Sequence, residues 1–303
     1  MLTSVESIVS TIALVELVPG VFANAFIATV SCVACMKTQK LSSADKILFA
    51  VAVSRFGLLW AMIINWYIFM FNPGLHGPGR GTSIIFWIVM HHFSIWFASG
   101  LSVFYLFKIA NFSNLTFHHL QWRVERVVLA VLLGSLVFLG FQLAVEITEN
   151  RILKNTYEGN MTLKTELGVT HALSSLTVFT LENIIPFTMS LISLLLLIFS
   201  LWKHLKKMKF NGTGSQDAST KAHIKAMLSV ISFLLLFTIS VFCLIIPAWL
   251  LKMLQNQKTL LLLQMISITL PSSHSLILVV VNPKLKKALL SLLGQWKERL
   301  GLT

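Results

Sequence analysis

His91 and His92 are adjacent, and Trp87 stands one helical turn before the first of them. Imidazoles are the side chains best suited to acid–base work or metal ligation near neutral pH. Adjacent residues on a helix point to different faces, and no carboxylate or cysteine falls at metal-ligand spacing beside the pair. His118 and His119 form a second adjacent pair, also without partners in sequence. The chain carries no phosphate-cradling glycine loop and no nucleophile elbow. No catalytic residue, metal or cofactor is expected, and the chain is not expected to be an enzyme.

Recognition suits these residues better. Trp87 and His91 are four apart and share one helix face. Asn65 and Trp66, Glu182 and Gln264 fall at a similar depth in other apolar stretches. An aromatic wall with a few dispersed polar groups is how small-molecule pockets are built, so these six residues are the candidate ligand contacts. Two plainer readings stay open. Trp66 and Trp87 also suit an interfacial belt facing lipid, and His91 also suits a satisfied packing position.

A second polar layer lies deeper. Arg55 sits about 14 Å above the inner end of its apolar stretch, nine residues beyond Lys46 at about 1.5 Å each. A charge at that depth costs about 2.5–3.5 kcal/mol on insertion scales unless it is paired. Asn24, Ser272 and Ser273 reach a comparable depth. Hydrogen bonds among these four would satisfy the guanidinium and clamp three helices, a structural or switching role.

The elements that must position both layers are seven apolar stretches: Ile8–Val33, Ile47–Phe71, Ser83–Phe107, Val127–Val145, Ser174–Trp202, Met227–Leu251 and Leu260–Val281. A bilayer core about 30 Å thick is crossed by about 20 apolar helical residues. Hydrophobic residues make up 56% of the chain and charged ones 12%, at a mean hydropathy of +0.81, which leaves too little polar surface for a soluble globule of this length. Backbone pairing inside lipid requires helices or closed barrels, and these stretches are too long and too evenly apolar for barrel strands. The expected fold is an all-α membrane bundle of seven spans over residues 1–282, followed by a cytoplasmic amphipathic segment over 283–303. In that segment Leu285, Leu289, Leu292, Leu293, Trp296 and Leu300 recur at helical spacing between lysines, which describes a helix lying on the inner leaflet. Pro283 suits its first turn.

Basic residues accumulate on alternate sides of the spans. With the N-terminus outside, the inner side holds Lys37, Lys40, Lys46, Lys108, Arg123, Arg126, a run from Lys203 to Lys225, and Lys284 onward, while the outer side holds few. Basic loops stay cytoplasmic, so the N-terminus is placed outside and the C-terminus inside. Topology and anionic headgroups thus account for the net charge of +13, and no nucleic-acid module accompanies it. The chain opens with Glu6 and Glu16 and without a basic leader, so the first span is expected to be its own targeting signal. Cys32, Cys35 and Cys243 all avoid outer loops, which leaves the long outer segment from Glu146 to Thr170 without a disulfide. That segment carries the glycosylation acceptor Asn160–Met161–Thr162. The other acceptor triplets, at Asn111, Asn114 and Asn211, fall on the cytoplasmic side.

A multi-span transporter or channel is the rival reading. Its usual marks are broken helices at the midplane, inverted repeats or acidic relays, and the acidic residues within these spans, Glu16 and Glu182, both lie toward the outside. Pro186, Pro247 and Pro271 can kink the last three spans and suit either reading.

Several strings carry a resemblance. They are His92 through Ala98, Leu101 through Asn114, Ala52 through Trp60, Pro186 through Met208, and Pro271–Ser272–Ser273–His274–Ser275–Leu276–Ile277–Leu278. Together they resemble the signatures of the type 2 (bitter) taste receptors, over nearly the whole chain. The resemblance implies a G-protein-coupled receptor for bitter small molecules that signals through a gustducin-type heterotrimer. It aligns Trp87 with that family's pocket tryptophan, puts Tyr105 at the inner end of the third span where rhodopsin-like receptors carry another motif, and includes His274 in the seventh-span motif. Four positions depart from the pattern: His91 replaces a frequent Asn, Ser240 a frequent Tyr and Gln264 an occasional Glu, and Val21 stands where a Gly–Asn pair is usual before Ala23 and Asn24. Loss of a carboxylate at Gln264 would weaken attraction for protonated amines. The crevice for the G protein would be rimmed by Lys108, His204, Lys207, His223 and Lys225.

Overall fold

The computed structural model describes residues 4–38, 42–71, 78–110, 115–156, 161–210, 218–254 and 257–299. Among them the chain forms nine helices: α1 Ser4–Thr38, α2 Ser43–Phe71, α3 Pro78–Ile109, α4 Leu115–Trp122, α5 Val124–Thr156, α6 Met161–Phe210, α7 Ala218–Leu254, α8 Gln257–Val281 and α9 Pro283–Arg299. The segments Leu14–Met36, Ser43–Ile68, Gly81–Ile109, Val124–Thr148 and Leu173–Lys203 are each long and apolar enough to cross a bilayer. Shorter apolar runs, Ile231–Ile246 and Ile268–Val281, are described in the remaining two long helices. With 37 and 25 residues, α7 and α8 are also long enough for the crossing at about 1.5 Å per residue.

These seven helices close a ring. Each of α1, α2, α3, α5, α6, α7 and α8 packs against the next, α8 returns to α1, and the contacts α3 to α6 and α2 to α8 cross the middle. The pattern of exposure explains the packing. On α5, Leu129, Leu133, Val137 and Phe141 recur every fourth residue and are exposed, while Val128, Ser135, Leu139 and Gln142 face inward. A helix that is apolar on its outer face and carries its few polar groups inward is built for lipid surroundings, where burial in water-excluded packing and exposure to acyl chains are equally apolar.

Close approach of α1 and α8 depends on Gly20. A side chain there would collide with the Oγ and Cβ of Ser272, so only glycine lets the two backbones meet. Just after α8, Asn282 caps α9, accepting from the backbone N–H groups of Lys284 at 3.0 Å and Leu285 at 3.3 Å, with Pro283 in the first helical position. Leu285 is buried beneath it. Lys284 Nζ donates to Asp45 Oδ2 at 2.8 Å, which ties α9 to the start of α2. Ser43 hydrogen-bonds Glu125 and ties the same end of α2 to α5.

One expectation is corrected here. The segment from Glu146 to Thr170, expected as a long outer loop, is helical on both sides: α5 continues to Thr156 and α6 begins at Met161. Between Gly140 and Gly159 there is neither glycine nor proline, so nothing breaks the backbone pattern where the apolar composition ends. Asn160 lies outside the described residues.

Candidate ligand site and the polar core beneath it

Trp87 and His91 stack on α3, with ring centroids 5.1 Å apart and planes within 13°. Phe179 of α6 completes a three-ring cluster at 6.2 Å from Trp87 and 6.0 Å from His91. Trp87 also packs against Leu17, Leu58, Leu59, Met62 and Ile268, so it faces the bundle rather than lipid. The belt reading of Trp87 is thereby set aside. His91 Nε2 lies 3.1 Å from Asn183 Oδ1. Asn183 Nδ2 donates to the Phe179 carbonyl at 2.8 Å, which turns the amide oxygen toward the histidine, so His91 Nε2 carries the proton and donates. The wall is therefore aromatic with one oriented imidazole in it. Asn65 and Trp66 are half-buried on α2, and Ser240 is buried on α7. The side chain of Gln264 lies outside those described.

Glu182 departs from the sequence reading. It does not share the His91 wall: its Oε1 lies 2.7 Å from His92 Nδ1, and both side chains are fully buried. His92 Nε2 lies 3.2 Å from Ser135 Oγ on α5, and that hydroxyl donates to the Leu132 carbonyl at 2.7 Å. Since the serine proton is spent on Leu132, Ser135 accepts from His92, and Nε2 carries a proton. A second proton lies between Nδ1 and the carboxylate. Two consecutive residues of α3 thus bond two consecutive residues of α6: His91 with Asn183 and His92 with Glu182. Below them Ser190 Oγ donates to Ser99 Oγ at 2.9 Å, and Ser99 Oγ donates to the Pro186 carbonyl at 3.1 Å. Proline lacks an N–H and interrupts the helical ladder, so this bond from α3 fixes α6 where its own ladder is weakest.

The deeper layer also forms, with different partners on α8. Arg55 Nη1 donates to His274 Nδ1 at 2.6 Å and to Ser275 Oγ at 3.1 Å. Ser275 Oγ donates to Asn24 Oδ1 at 2.8 Å, and Asn24 Nδ2 donates to the Gly20 carbonyl at 2.8 Å. Arg55 and Asn24 thus meet α8 as expected, but through His274 and Ser275. Ser272 packs against Gly20 with its hydroxyl buried and unpartnered, and Ser273 is half-buried. The reason is rotation: residues two or three positions apart on α8 face different neighbours, and the face turned to Arg55 belongs to the later pair.

Tyr105 is half-buried beside Phe104, 6.3 Å between centroids, and packs against one cluster drawn from α1, α2, α3, α8 and α9 and another drawn from α3 and α5. Lys108 is exposed in the last turn of α3. The side chains of His204, Lys207, His223 and Lys225 lie outside those described. Among the described residues no three histidine, cysteine or acidic side chains form a metal-binding group. Phe179, Asn183, Ser135 and Ser275 take part in the site or its support without having been singled out. The available signal was complementarity: an adjacent Glu–Asn pair and an adjacent His–His pair in two apolar spans.

An apolar ring of seven crossing helices, an aromatic wall toward one end and hydrogen-bonded polar layers through the middle define the class, a seven-helix membrane receptor bundle. The profile of the taste receptor protein (TAS2R) family matches residues 1–297. Taste receptor type 2 member 19 of Pan paniscus is 52% identical over 289 residues, covering 95% of this chain and 97% of that one. Taste receptor type 2 members 31 and 46 of Homo sapiens are each 48% identical, over 97% and 99% of this chain and 96% of their own lengths. The chain belongs to the taste receptor type 2 family. It is accordingly a multi-pass membrane receptor that binds ligands and couples to G proteins, and it is not an enzyme.

Proposed function

We propose that this bitter taste receptor sits in the plasma membrane with its N-terminus outside and its C-terminus in the cytoplasm, and that it signals through a gustducin-type heterotrimeric G protein. The observation that carries the ligand site is the three-ring stack of Trp87, His91 and Phe179, with an imidazole N–H held in place by Asn183. An amphipathic compound entering from outside would stack on Trp87 and bond His91. Asn65, Trp66, Ser240 and Gln264 would complete the wall. Glu182 is left out of it, because its carboxylate is committed to His92.

By preferring the active packing, the ligand shifts an existing equilibrium. The layer of Asn24, Arg55, His274, Ser272 and Ser273, with Tyr105 below it, would repack as α6 and α7 part at their inner ends. The rim of Lys108, His204, Lys207, His223 and Lys225 would receive the G protein. The lysines and the apolar face of α9 would hold it to anionic lipid on the inner leaflet, and Asn160 would carry the outer glycan. The transporter reading loses ground to family membership, since the relatives are named as receptors.

The test is a calcium-release screen of bitter compounds in cells carrying the chain and a G-protein chimera ending in the gustducin-type C-terminus. Concentration-dependent release by at least one compound, lost with an unrelated Gα C-terminus, is the expected result. Confirmed surface expression with no response to any compound, or uptake of those compounds into vesicles, would contradict it.

A further inference from the structure

Arg55 lies in the inner half of the bundle with 1% of its surface exposed. A guanidinium stays protonated in proteins, so this is a full positive charge. Arginine nitrogens only donate, so His274 Nδ1, 2.6 Å from Nη1, must accept. Its ring proton is then on Nε2, and the ring is neutral. Ser275, the other partner, shares its single proton between Asn24 Oδ1 and the Pro271 carbonyl, each at 2.8 Å. Every partner among the described residues is uncharged. Among the described residues Arg55 Nε is buried with no hydrogen-bond partner. Among the described residues the side-chain ion pairs are His92 with Glu182 and Lys284 with Asp45, and neither reaches Arg55.

Neutral dipoles solvate a charge without cancelling it, and a buried charge is retained only where it is paired. We propose that Arg55 binds a small monovalent anion of the chloride class, taken up on the unpartnered Nε–H. The anion would balance the charge and, through the guanidinium, brace the contact of α2 with α8 and α1 that His274, Ser275 and Asn24 form. A lipid phosphate is excluded by depth, since the residue lies about 14 Å from the inner end of its span and is shielded on all sides. A divalent anion would overcompensate one charge and carry a larger desolvation cost. This inference does not rest on the ligand reading above, because it requires no agonist.

The experiment measures the unfolding temperature of the purified full chain in lipid nanodiscs, without agonist, as chloride replaces gluconate at constant ionic strength and pH. A saturable rise of several degrees, reproduced by bromide but not by sulfate and absent in Arg55→Gln, is expected from linkage. A flat titration in the parent, or an equal rise in Arg55→Gln, overturns the proposal. Should Arg55→Gln fail to fold, anomalous scattering from bromide in crystals of the parent decides. A peak within bonding distance of the Arg55 guanidinium supports the site, and no peak there overturns it.

Discussion

His92 Nδ1 and Glu182 Oε1 lie 2.7 Å apart with neither side chain exposed, and one proton between them keeps the pair neutral inside the bundle. The second carboxylate oxygen of Glu182 is buried without a hydrogen-bond partner among the described residues. Removing either residue alone strands the other. Glu182→Leu is expected to destabilise the folded receptor by about 3 kcal/mol, the usual result of breaking a buried pair, whereas the double variant His92→Leu/Glu182→Leu recovers much of the loss. Thermal unfolding of the purified variants measures the cycle. Additive losses would show that the two residues do not act as a pair.

Asn183 orients His91 without having to touch a ligand. Asn183→Ala releases the imidazole and is expected to lower agonist potency roughly fivefold, the equivalent of one hydrogen bond worth about 1 kcal/mol. Concentration–response curves at matched surface expression check this. Asn183→Asp, which keeps the acceptor, should lose less.

Gly20 and Gly140 make opposite predictions. Gly20→Ala pushes α1 away from Ser272 and should cost about 1–3 kcal/mol as an overpacked contact. Gly140→Ala meets nothing within 4 Å and should be neutral or raise stability, since alanine favours the helix by about 1 kcal/mol. Unfolding temperatures of the two single variants suffice. A Gly20→Ala protein as stable as the parent would mean that α1 and α8 do not meet here.

The proposed topology has a separate readout. Epitope tags at the N-terminus are expected to stain intact cells, and tags at the C-terminus only permeabilised ones. Asn160→Gln should remove the glycan, while substitutions at Asn111, Asn114 or Asn211 should leave its mass unchanged. Sugar on Asn211 would invert the orientation.

What the sequence made legible is what lipid demands of each segment by itself. Span length and apolarity are local properties, so the stretches around Ile47–Phe71 or Ser83–Phe107 could be read directly, as could Pro283 opening α9. Neighbouring positions on one helix, such as Trp87 and His91, were legible for the same reason. Pairings between helices were not, because they depend on how each helix is rotated about its own axis. Glu182 and Asn183 are about 100° apart, and one faces His92 while the other faces His91. An equal uncertainty moved the partners of Arg55 from Ser272 and Ser273 to His274 and Ser275. The loop expected from Glu146 to Thr170 differs for another reason: composition marks where lipid ends, and only glycine, proline or caps mark where a helix ends.

The central claim is that ligands are read by the ring stack at Trp87. The most direct measurement is the concentration–response of Trp87→Ala and Trp87→Phe against the parent, with the same agonists at matched surface expression. The account predicts a potency loss of roughly tenfold or more for Trp87→Ala, corresponding to about 1.4 kcal/mol of lost stacking, and a smaller loss for Trp87→Phe. Unchanged potency of Trp87→Ala for every compound that activates the parent would contradict it.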